Sequence, residues 1–235
     1  MDQGFFILAK MKSNNQAREI PLKLVLTGIL FLAAIFFFGF LAKVVVIGKN
    51  DLFDSHVFEF FEGHTSPLLV DVMNFITFFG SRTFLLPAYI LLVCLLLWKK
   101  EKRLAFDVAL IGITADLLKL ALKNGFQRQR PEMPLLESLQ SYSFPSGHAL
   151  SSFIFFSAII YVLWKQENMN RVWKWLIAVL LILFSILIGL SRIILRYHYP
   201  SDVIAGFCIA FSWVLLSLWL LNKLHFYLQN RRAKI

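Results

Sequence analysis

Cysteine is nearly absent from this 235-residue chain, and charge of either sign is scarce. The two cysteines, Cys94 and Cys208, each fall inside an apolar run and lack metal-ligand spacing. A disulfide framework and a thiolate metal site are thereby excluded, and both residues read as packing. Internal repeats and low-complexity linkers are also missing, which excludes a solenoid or a string of tethered domains. Acidic residues are the scarcest charged class, 14 against 24 Lys and Arg, for a net charge of +10. An excess of that size suits nucleic acid, but the basic residues cluster at the ends of apolar runs. That placement marks membrane topology and excludes a nucleic-acid footprint.

What is present is apolar surface. Hydrophobic residues make up 58% of the chain and charged ones 16%, more apolar surface than a soluble domain of this length needs. The expected fold class is all-α: a polytopic membrane protein built as a six-transmembrane-helix bundle with a short amphipathic interfacial helix. Residues 24–47, 83–98, 104–122, 149–164, 175–190 and 203–221 are the expected spans. Each is ~24–36 Å long at ~1.5 Å per residue, close to the hydrocarbon thickness. The first run is longer than a signal-peptide core and no cleavage site follows it, so it is expected to be retained. The expectation is a single membrane-embedded domain over 1–235, with cytoplasmic ends at 1–23 and 222–235.

Residues 67–79 are too short to span and carry a carboxylate. Ser66-Pro67 is a helix start, and Asp71, Asn74 and Thr77 form a polar stripe at three-residue spacing. The segment therefore reads as a helix lying in the interface. With the amino terminus inside, fifteen of the 24 Lys and Arg face the cytoplasm, including Lys99, Lys100, Lys102 and Arg103 in one loop. The positive-inside tendency favours that orientation. It puts the segments around 123–131, 145–148 and 191–202 on the outer side.

Those three segments hold the residues able to do chemistry. Lys123, Arg128 and Arg130 leave the third span, on the side where topology disfavours basic residues. Pro145-Ser146-Gly147-His148 opens the fourth span, and a helix start is an anion site because its first N–H groups are unpaired. Ser191-Arg192 closes the fifth span, and His198 precedes Asp202 by four residues. A carboxylate at that distance holds an imidazole in the tautomer of a nucleophile or base, and the cations suit a phosphate.

The three segments read K-x6-R-P, P-S-G-H and S-R-x5-H-x3-D, and together they resemble the signature of the type-2 phosphatidic acid phosphatases, shared with the vanadium-dependent haloperoxidases. The resemblance implies that His198 attacks phosphorus and becomes a phosphohistidine, with Asp202 orienting it. It implies that His148 protonates the leaving alkoxide and then helps activate water. Lys123, Arg130, Arg192, Ser146 and Gly147 are implied to bind the phosphoryl oxygens. No metal and no cofactor are implied, since cations already supply the charge stabilisation a metal would provide. The implied activity is a lipid phosphatase at the outer leaflet of the cell membrane. Phosphatidylglycerol phosphate is the expected substrate, and phosphatidate and undecaprenyl diphosphate are others that the same site serves. The expected partners are the lipid substrate and the bilayer, with no nucleic acid and no obligate protein.

Outside the motifs, Asp107, Asp116 and Lys119 are expected to face the bundle or one another. Arg128 and Arg196 are expected at the lipid headgroup, and Trp173, Trp175, Trp213 and Trp219 as packing or interfacial aromatics. Two readings from other classes compete. A non-catalytic phospholipid-binding protein needs cations but neither histidine. A transporter would gather its polar groups near the midplane, not at one face.

Overall fold

A computed structural model describes residues 22–132, 134–136 and 141–232. Residues 1–21 of the expected amino-terminal segment and 233–235 of the expected tail lie outside them. The described residues are helical and loop, with no strand among them. In chain order the helices are α1 (Leu22–Leu41, running into a π-helical stretch Ala42–Ile47), α2 (Leu52–Glu62), α3 (Pro67–Phe78) and α4 (Arg82–Trp98). Then come α5 (Lys102–Phe126), α6 (Gly147–Lys165), α7 (Arg171–Ile194) and α8 (Pro200–Arg232).

Short polar residues start several of these helices. The Ser66 hydroxyl accepts the Leu69 N–H at 3.2 Å, and the Ser81 hydroxyl accepts that of Phe84 at 3.2 Å. Asn170 caps α7 by accepting the Val172 N–H at 2.8 Å. At the other end of α5, Gln127 takes a left-handed conformation (φ 49°) that stops the helix and turns the chain toward Arg128 and Arg130.

Helix α6 is the centre of the bundle, packed chiefly between α7 and α8, while α1 packs on α8, α4 on α5 and α3 on α7. One apolar cluster joins Phe38, Ile111, Leu150, Ile154 and Ile209 from α1, α5, α6 and α8. Another, toward the opposite end, joins Leu96, Leu104, Val108 and Val162. Large apolar side chains such as Phe36, Leu91, Ile113 and Leu180 face outward, as lipid-facing residues do.

Among the described residues, five stretches are long and apolar enough to cross a membrane: Leu24–Ile47, Pro67–Trp98, Gly147–Lys165, Arg171–Ile194 and Pro200–Arg231. Helix α5 has the length of a span with its 25 residues, but Asp107, Asp116 and Lys119 lower its hydropathy. The expected count of six therefore holds only with α5 included. Asp107 is fully buried, accepting from Tyr161 Oη at 2.8 Å and lying 2.7 Å from His225 Nε2. Asp116 pairs with Lys119 as the sequence suggests.

Two expectations change. Residues 67–79 do form a separate helix, but one continuous with α4 in a single apolar stretch broken only at Phe79–Ser81. The polar stripe divides: Asp71 and Asn74 are exposed, whereas Thr77 is buried. Within the expected tail, 222–235, α8 runs on as helix to Arg232.

Candidate active site

The ends of α5, α6, α7 and α8 meet at one end of the bundle. Helices α6 and α8 come so close that a Cβ on Gly206 would lie 2.8 Å from the Ser146 carbonyl oxygen. Gly80, between α3 and α4, is equally confined: a Cβ there would meet Ile188 at 2.5 Å and His148 at 3.0 Å. Only glycine permits these approaches.

His198 sits in the turn between α7 and α8 and is 1% exposed. Its Nδ1 lies 3.2 Å from Ser143 Oγ and 3.5 Å from Asp202 Oδ2. Ser143 Oγ donates to that same Asp202 oxygen. The hydroxyl thus accepts the Nδ1 proton and passes a donor on to the carboxylate, a relay from ring to acid. The Tyr199 N–H donates to Asp202 Oδ2 as well, at 3.0 Å. This arrangement assigns the proton to Nδ1 and leaves Nε2 as the acceptor, taking a 3.3 Å hydrogen bond from Arg130 Nη1. Burial, then the positive charges of Arg130, Arg192 and Lys123, holds His198 well below the ordinary imidazole range. The ring is therefore neutral and able to attack at neutral pH.

The cations surround Nε2. Arg130 is fixed by Nε to the Ser141 carbonyl at 2.6 Å and by Nη1 to the Tyr197 carbonyl at 2.5 Å. Lys123 donates to the Tyr142 carbonyl, and Arg192 lies over the Tyr197 ring at 4.2 Å and donates from Nη1 to Thr77 Oγ1 at 2.7 Å. The Arg192 Nε and Nη2 and the Ser146 hydroxyl are buried with no hydrogen-bond partner. Buried donors of this kind are costly unless something answers them. The first turn of α6 adds the amides of Gly147 and its neighbours. His148, in that first turn and packed beside Gly80, faces the same cluster of Arg192, His198, Arg130 and Lys123.

All eight residues expected at the site (Lys123, Arg130, Ser146, Gly147, His148, Arg192, His198 and Asp202) come together at this end. Two expected headgroup contacts do not. Arg128 is 9% exposed and donates to Asp202, not to the pocket. Arg196 pairs with Glu62 of α2 at 3.3 Å. Ser143, Thr77 and Asp54 were not expected at the site, although Ser143 and Thr77 are buried against the motif residues Asp202 and Arg192, and Asp54 against Arg128 and Ser201. Thr77 left one signal, a hydroxyl on a helix short of a span. Asp54 left another, a carboxylate among the aromatic residues of the mixed Leu52–Phe61 stretch. Among the described residues, no three His, Cys, Asp or Glu side chains group so as to hold a metal ion.

A helical membrane protein whose polar groups gather at one end into a cationic, two-histidine pocket is the class that fold and geometry describe. The chain belongs to the PAP2 superfamily, which matches residues 104–226. It is 30% identical over 141 residues to phosphatidylglycerophosphatase B of Bacillus subtilis, covering 60% of this chain and 70% of that one. It is 26% identical to the undecaprenyl-diphosphatase of Sulfolobus acidocaldarius over 178 residues, 73% of this chain and 80% of the relative. A solved Bacillus subtilis structure, a transmembrane PAP2-type phosphatidylglycerolphosphate phosphatase, superposes with a TM-score of 0.76 at 26% identity. That likeness covers 82% of this chain and 96% of the other.

Proposed function

We propose that this chain is a membrane lipid phosphatase that removes the terminal phosphoryl group of phosphatidylglycerol phosphate by two displacements at His198. The observation that carries the reading is the set of unanswered donors at the His198 end of the bundle: Arg192 Nε and Nη2 and the Ser146 hydroxyl. A phosphoryl group supplies the acceptor oxygens they lack. In the first step Nε2 attacks phosphorus, the bond from phosphorus to the lipid oxygen breaks, and His148 gives its proton to the departing alkoxide. In the second, water attacks the phosphohistidine, His148 takes a water proton, and phosphate leaves as His198 is restored. Lys123, Arg130 and Arg192 hold the equatorial oxygens in both steps, with the Gly147 amide.

The Bacillus subtilis relative and solved structure favour phosphatidylglycerol phosphate as the substrate. Undecaprenyl diphosphate is the second reading, favoured by the archaeal relative's longer match. The charge distribution along the chain favours both termini in the cytoplasm and the pocket at the outer leaflet, within one membrane-embedded domain.

The test is phosphate release by purified protein from phosphatidylglycerol phosphate, phosphatidate and undecaprenyl diphosphate in mixed micelles. Turnover is expected to be fastest on phosphatidylglycerol phosphate and to vanish in His198→Ala with the fold intact. Near-normal release by that variant would refute the phosphohistidine route.

A further inference from the structure

The carboxylate behind His198 is held by a helix outside the stretch matched to the family. Asp54 of α2 is 1% exposed, and Asp51 just before it is half-exposed; both precede residue 104, where the match begins. Arg128 joins them to the site. Its Nη1 donates to Asp202 Oδ1 at 2.7 Å and to Ser201 Oγ at 2.8 Å. Its Nη2 donates to Asp54 Oδ2 at 2.8 Å and to Asp51 Oδ1 at 2.6 Å. Asp54 in turn accepts the Ser201 N–H at 2.8 Å and the Ser201 hydroxyl at 2.6 Å. The guanidinium lies over the Tyr199 ring, 3.9 Å from its centroid. A fork this fully engaged has one orientation.

The two oxygens of Asp202 are thereby divided. Oδ1 faces Arg128, while Oδ2 takes the Ser143 hydroxyl and the Tyr199 N–H and faces His198 Nδ1. Without Arg128 this buried carboxylate would lose its partner at Oδ1 and be held through Oδ2 alone, its charge uncompensated beside the imidazole. With it, the negative charges of Asp54 and Asp202 sit behind the ring and the positive charges of Lys123, Arg130 and Arg192 in front.

We propose that Arg128, clamped by Asp54, is a positioning residue that fixes Asp202 so that the Nδ1 proton stays on His198 and Nε2 stays unprotonated for phosphorus. This rests on His198 being the nucleophile. Both terminal nitrogens of Arg128 are taken by protein oxygens, so it should act on the chemical step and not on phosphate binding.

The experiment compares Arg128→Gln, Arg128→Lys, Asp54→Asn and Arg130→Gln in the purified full chain, with vanadate as the phosphate analogue. Arg128→Gln is expected to lower kcat by ~100-fold or more, the size seen when an orienting partner is lost, with KM and vanadate inhibition within ~3-fold. Arg128→Lys should recover ~10-fold of that loss, since it keeps the charge but not the fork. The acid limb of kcat/KM in Arg128→Gln should move to higher pH, because a cation is lost and Asp202 is left uncompensated. Asp54→Asn should lower kcat with unchanged vanadate inhibition, and it decides the matter by that pair of readouts where Arg128→Gln does not fold. Vanadate inhibition weakened in Arg128→Gln as much as in Arg130→Gln would make Arg128 a phosphate ligand and overturn the proposal. An unchanged kcat in both Arg128→Gln and Asp54→Asn would overturn it too, leaving the phosphohistidine reading in place. Turnover surviving in His198→Ala would remove both.

Discussion

Thr77 on α3 accepts a 2.7 Å hydrogen bond from Nη1 of Arg192 on α7, tying the break in the 67–98 stretch to a cation of the pocket. The bond leaves the other Arg192 nitrogens free for substrate.

Thr77→Val should therefore unsettle Arg192 without altering any group of the reaction. A hydrogen bond to a charged group is worth ~1.5–3 kcal/mol, so kcat/KM should fall ~10- to 100-fold. Thr77→Ser should keep most of it. Parallel kinetics on the two variants check this, and a loss in Thr77→Ser with Thr77→Val spared would show that the methyl group, not the hydroxyl, matters.

The pH profile reports on His198. Burial and the charges of Arg130, Arg192 and Lys123 hold its pKa down, so kcat/KM should not decline on the acid side at the pH of an ordinary histidine. Arg130→Gln removes one of those charges, the pKa rises, and the acid limb should shift to higher pH. A limb that stays put, or moves to lower pH, would contradict the charge arrangement.

Leaving-group chemistry isolates His148. His148→Ala should slow a lipid alkoxide far more than a nitrophenolate, which departs without a proton. Equal slowing of both substrates would count against a general acid at this position.

At the opposite end of the bundle, His225→Ala would strip the buried Asp107 of one of its two partners. Leaving such a group under-satisfied costs ~1–3 kcal/mol. Unfolding midpoints in detergent should drop while kcat at low temperature stays near that of the parent chain.

Sidedness is open to labelling on a background lacking Cys94 and Cys208. Glu132→Cys should react with a membrane-impermeant thiol reagent in intact cells, and Lys100→Cys only after the membrane is opened. The reverse pattern would place the pocket on the cytoplasmic side.

The site was far more legible in the sequence than its supports. His198, Asp202 and the three cations stand at fixed spacings within short segments, so a linear pattern exposes them. Arg128 has equally polar neighbours in sequence, yet its partners Asp51 and Asp54 lie more than seventy residues away. No local spacing connects them. The spans were legible as hydropathy, but α5 blurred that signal because Asp107 is paid for by Tyr161 and His225, neither near it in the chain. Helix α2 escaped notice because an 11-residue helix is too short for a membrane pattern.

Helix α8 carries Asp202 in its first turn and His225 near its other end, each anchored to a different part of the bundle. The two anchors are ~35 Å apart along the axis at ~1.5 Å per residue, slightly more than a ~30 Å hydrocarbon core. The rod is held near both ends of its crossing, once beside the site and once at the opposite end. A lean of α8 in the bilayer would therefore be felt at Asp202, the carboxylate behind His198.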